Sequence, residues 1–111
     1  MELSQILQHG LTLVLLAVVS FIQNMAFTWV SRSRNSGDPN YHRRAAWCSN
    51  GIWFICQVLI IKAVWQDVMS GNWIFVIFAG LVYVACTTEG SVLMMKILLK
   101  KETGKQQVGA R

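Results

Sequence analysis

Leu11–Val30 reads LTLVLLAVVSFIQNMAFTWV, twenty residues without a charge. An α-helix needs about 20 apolar residues to cross a hydrocarbon core of about 30 Å. Two more runs follow, about Ala46–Met69 and about Trp73–Leu99, with an arginine-rich stretch after the first run and a short turn after the second. A 111-residue soluble domain has no use for three such segments, so the expected fold is an all-α integral membrane protein. One membrane domain fills residues 1–111: spans at about 11–30, 46–69 and 73–99, a basic loop at 31–45 and a basic tail at 100–111.

Composition agrees. Hydrophobic residues make up 54% of the chain, proline occurs once, and the mean hydropathy is positive. The first ten residues carry Glu2 and no Lys or Arg, unlike the basic start of a secretory signal. Leu11–Val30 is therefore expected to remain as the first span.

The net charge of +5 suggests nucleic acid until its placement is read. Arg32, Arg34, Arg43 and Arg44 cluster after the first span, and Lys96, Lys100, Lys101, Lys105 and Arg111 lie at and beyond the end of the third. The segment Gln66–Asn72 holds Asp67 and no basic residue. Lys/Arg bias in short loops places the basic side in the cytoplasm. The expected topology has the N-terminus out, the first loop in, the second loop out and the C-terminus in, within an inner (cytoplasmic) membrane. Anionic headgroups account for the basic clusters, which also offer a surface to a membrane or cytoplasmic protein partner, and no nucleic-acid partner is expected.

No metal, cofactor or enzymatic activity is expected. Cys48, Cys56 and Cys86 form no Cys-x-x-Cys pair, and the topology puts His9 and His42 on opposite sides of the membrane. No nucleophile–base pair, phosphate loop or paired-carboxylate motif is present.

Polar residues inside the spans are the candidates for function. Ser20, Asn24, Thr28 and Ser31 recur at helical spacing and form one stripe, expected to face other helices or water. Glu89 is the sharpest signal, because an unpaired ionised carboxylate in hydrocarbon costs several kcal/mol. At about 1.5 Å per residue, Glu89 lies about 24 Å from the outer end of its span, Gln23 and Asn24 about 20 Å, and Ser49-Asn50 somewhat deeper. Gln23, Asn24, Thr28, Asn50 and Glu89 are thus expected to meet in one intramembrane cluster. It either lines a water path or helix–helix switch, or only fixes packing. Lys62, about 10 Å from the outer end of span two, is expected to snorkel to the headgroups rather than pair with Glu89. Gly80, Thr87 and Ser91 share a face of span three, and Cys86 with Gly90 gives a small-xxx-small spacing that permits close helix approach.

Size, three spans, an outward N-terminus and a lysine-rich cytoplasmic tail together resemble a class I holin of tailed phages. Ser31-Arg32-Ser33-Arg34-Asn35-Ser36, Tyr41-His42 and Ser49-Asn50-Gly51-Ile52-Trp53-Phe54 are also similar to small phage membrane proteins of unassigned role. The resemblance is architectural, since holins share no diagnostic motif, and it implies homo-oligomers that open lesions in the inner membrane for host lysis. Two features depart from it: a longer, more basic first loop, and no paired Met starts with an intervening Lys. Two other functions compete. One is a non-lytic exclusion or assembly factor acting through the arginine-rich loop. The other is a small channel or transporter subunit using Glu89. Small multidrug exporters, of similar length, have four spans and a carboxylate in the first, which this chain lacks.

Overall fold

A computed structural model describes residues 2–104 and 108–109. It contains three helices, α1 (Leu3–Ser33), α2 (Pro39–Ser70) and α3 (Trp73–Glu102). All three are long and apolar enough to cross a membrane. At 31, 32 and 30 residues they run about 45–48 Å, so each exceeds a bilayer core by several turns.

The helix ends follow from local chemistry. Glu2 caps α1, its backbone N–H donating to Gln5 Oε1 at 3.2 Å. The first connection is shorter than the expected loop at 31–45. Asp38 caps α2 and Pro39 begins it, so the chain turns within residues 34–38. The Asp38 carboxylate accepts the N–H groups of Asn40 (3.1 Å) and Tyr41 (3.2 Å). Proline suits the first helical turn, where its missing N–H has no partner to lose. Arg32 therefore belongs to α1, and Arg43 and Arg44 belong to α2. At the other end Gly71 closes α2 at φ 78°, a left-handed conformation that favours glycine. Asn72 then bonds back to the Asp67 carbonyl at 2.8 Å, and α3 starts at Trp73. Lys100 and Lys101 lie in the last turn of α3 rather than in the tail expected from residue 100. Lys105 and Arg111 lie outside the described residues.

The first helix is the centre of the bundle. It packs along both neighbours, whereas α2 and α3 barely touch. The molecule is accordingly a narrow rod, 57 × 22 × 18 Å. Leu16, Ser20, Gln23, Ala26, Val30 and Ser33 form the buried face of α1. The outside is apolar along most of its length, from Leu11 (70% exposed) to Phe54 (66%) and Ile74 (84%). Water penalises such a coat and lipid does not. The rod has a turn end, holding residues 70–72 and the start of α1, and a loop end, holding residues 34–38 and the end of α3.

Candidate functional site

Polar side chains tie α1 to its neighbours at three levels. In the middle, the polar stripe of α1 turns toward α3. Asn24 Nδ2 donates to the Thr87 carbonyl at 2.7 Å, and the Thr28 and Ser91 hydroxyls bond at 2.7 Å. Gly90 makes room for this seam, since a Cβ there would run into the Phe21 backbone. The close approach expected from the Cys86/Gly90 spacing thus occurs at Gly90, while Gly80 faces open space. On the α2 side, Cys56 Sγ donates to the Val19 carbonyl at 3.6 Å. Ser20 and Gln23 are buried, and Ser20 Oγ and Gln23 Oε1 have no hydrogen-bond partner among the described residues.

The expected five-residue cluster divides here. Gln23, Asn24 and Thr28 point into the bundle, but Asn50 and Glu89 are exposed on its outside. Neither makes a hydrogen bond or ion pair among the described residues. The reason is rotational. Successive helix residues are about 100° apart, so seating Gly90 against α1 turns its neighbour Glu89 outward. On α2 the buried Ser49 does the same to Asn50.

At the turn end, His9 Nε2 lies 3.0 Å from Asp67 Oδ1 and Nδ1 lies 2.8 Å from the Gln5 carbonyl. Asn72 Nδ2 donates to the same Asp67 oxygen at 3.0 Å. The His9 ring packs edge-on to Phe75, with centroids 4.3 Å apart. His9 lies ahead of the apolar run Leu11–Val30, and its acceptors raise its pKa, Asp67 foremost and then the Gln5 carbonyl. With both ring nitrogens facing acceptors, the doubly protonated imidazolium is favoured. Lys62 is exposed and has no partner among the described residues, and it lines a crevice of about 330 Å³ with Gln8, His9, Gln66 and Asp67.

At the loop end, the Arg32 guanidinium makes a two-point contact with the Glu102 carboxylate, Nε to Oε1 at 3.0 Å and the second nitrogen to Oε2. Glu102 holds Arg32 still more firmly protonated. Trp29 Nε1 donates to the Tyr41 hydroxyl oxygen at 2.9 Å, and Ser33 Oγ meets His42 Nδ1 at 3.0 Å. Arg32 is thus committed to the bundle. Arg34, Arg43 and Arg44 are exposed, as are Lys96, Lys100 and Lys101.

Sequence reasoning missed both end clasps. His9–Asp67 and Arg32–Glu102 join residues 58 and 70 positions apart, beyond the reach of any local sequence pattern. The usable signal was the placement of the chain's few acidic groups beside basic ones at the same predicted depth. Among the described residues no group of His, Cys, Asp and Glu is arranged to hold a metal ion. What remains is an open three-helix rod with clasped ends, and with Asn50 and Glu89 facing outward at mid-height. No protein-family model matches this chain, and no match was found among curated proteins or solved structures.

Proposed function

We propose that the protein is a multi-pass protein of the inner membrane that self-associates and forms pores or lesions of the holin type, leading to host lysis. One observation carries this reading. Glu89 and Asn50 lie exposed and unpartnered on helices whose surroundings are otherwise apolar. In hydrocarbon such groups must face another polar surface or water. Copies that associate through them hide both, and an assembly that parts along them exposes a wettable wall. The polar stripe of α1 supports this only indirectly, because its Asn24 and Thr28 are already occupied with α3.

The charge distribution supports an orientation with the loop end in the cytoplasm. Arg34, Arg43, Arg44, Lys96, Lys100 and Lys101 all project there, whereas Lys62 is the one exposed Lys or Arg towards the turn end among the described residues. Anionic headgroups would hold that end in place.

Induced expression with potassium efflux and growth as readouts tests the proposal. Rapid efflux followed by growth arrest is expected. Intact membranes at high expression would reject it.

A second reading has its own observation. Three exposed arginines at one end fit a non-lytic factor that binds a partner protein. Charge reversal at Arg34, Arg43 and Arg44 then abolishes partner pull-down, whereas the pore reading leaves lysis largely intact.

A further inference from the structure

The two outward polar groups stand at the same height. Contacts with α1 serve as the ruler. Along α2, Cys56 meets Val19 and Tyr41 meets Trp29, so Asn50 falls level with residues 23–24 of α1. Along α3, the Thr87 carbonyl meets Asn24 and Gly90 abuts Phe21, so Glu89 falls level with the same stretch. They nevertheless belong to different flanks, because α2 and α3 each pack on α1 and hardly on each other.

We infer that copies of this chain associate head to tail, the Glu89 face of α3 in one copy seating on the Asn50 face of α2 in the next. The inference rests on the self-association reading above and names its interface. The occupant is a second copy because the chain itself supplies the complement. A carboxyl group in hydrocarbon needs a hydrogen-bonding partner at its own depth, and Asn50 offers one there. Its carboxamide has both donors and an acceptor, so it serves the Glu89 carboxyl whether ionised or protonated. Gly51, beside Asn50, has open space where a Cβ would be, which lets a neighbouring helix approach closely.

Geometry also sets the symmetry. Copies inserted in one orientation present α3 antiparallel to the neighbour's α2. Glu89 opposite Asn50 then puts Ala85 opposite Phe54 and Val92 opposite Trp47, and all four are exposed. The two patches are unlike, so each added copy leaves one Glu89 face and one Asn50 face free. Such a heterologous contact closes a ring or extends a chain, and does not stop at a dimer.

Disulfide trapping in intact membranes tests this. Cys48, Cys56 and Cys86 are replaced by Ala, and Phe54→Cys with Ala85→Cys is placed in one chain. Oxidation should give a ladder of dimers, trimers and larger species. Either cysteine alone should give monomer. The pair Trp47→Cys with Val92→Cys should give the same ladder, which guards against one variant failing to insert. Glu89→Leu in the double-cysteine chain should lower trapping about fivefold, while Glu89→Gln, which still hydrogen-bonds, should keep it. No ladder from either pair, or dimers from a single-cysteine chain, overturns the interface. Potassium efflux in the same cells separates the two proposals: efflux without a ladder removes this interface and spares the pore, and a ladder without efflux does the reverse.

Discussion

Gly90 of α3 lies against the main-chain carbonyl of Phe21 in α1, with no room for a side chain between them. The carbonyl carbon of Phe21 stands 3.1 Å from where a Cβ would sit, and the obstruction is backbone that cannot rotate away. This contact sets how near the two helices come and therefore which groups can bridge them. Gly90→Ala is expected to push α3 outward and destabilise the bundle by about 1–3 kcal/mol. Gly80→Ala, into open space, should cost nothing and can stabilise by up to about 1 kcal/mol through helix propensity. Unfolding midpoints in detergent micelles measure both, and equal effects would refute the close-packed seam.

The seam's hydrogen bonds should carry less than its packing. Asn24→Leu and Thr28→Val each remove one bond to α3, and each should cost about 0.6–2 kcal/mol. Because they share one seam one turn apart, their effects should not add. A double variant no worse than the larger single one would show the coupling; strict additivity would argue that the two bonds act independently.

The Arg32–Glu102 pair predicts unequal arginines. Glu102→Gln weakens a two-point charged contact that holds the end of α3 on α1, and should cost about 1–3 kcal/mol. Arg34→Gln, at an exposed side chain with no partner among the described residues, should change stability by less than about 0.5 kcal/mol. Chemical denaturation of the two variants side by side checks this. Comparable losses would mean that Arg32 is held no more firmly than its exposed neighbour.

The turn end should loosen as pH rises. His9 faces Asp67 and Lys62 from α2, and Asn72 and Phe75 at the start of α3, so Asp67 is the one carboxylate at its ring. Its pKa is raised in the folded chain. A raised pKa means that the folded state holds the proton more tightly. The contribution is complete below the ordinary histidine value of about 6.5 and disappears as pH climbs through the raised one. Nuclear magnetic resonance titration of the His9 ring should show the upward shift, and Asp67→Asn should abolish most of it. An unchanged titration in that variant would remove Asp67 as the cause.

Legibility in the sequence varied with the range of the interaction involved. The apolar runs located all three helices, and their C-terminal limits at about 30, 69 and 99 lie within a few residues of Ser33, Ser70 and Glu102. The early start of α2 is also legible, since Asp38-Pro39 is a helix-starting pair, but a single loop over 31–45 conceals it. The polar stripe was located correctly along α1, because helical spacing alone defines a face. Glu89 and Asn50 were misplaced because equal depth was taken to mean a common side. Depth follows from counting residues, whereas direction depends on how each helix is rotated about its own axis.

The amino-acid order by itself determined three helices, where each of them ends, and the concentration of basic residues at one end. Those properties depend on backbone bonds between near neighbours and on the transfer cost of each side chain, and both are local. Only the tertiary structure decided that α1 lies between the others, that His9 meets Asp67 and Arg32 meets Glu102, and that Glu89 and Asn50 face outward. Those outcomes were set where Gly90 let α3 close on Phe21, a contact between residues far apart in the chain whose steric demand fixes the rotation of the helix.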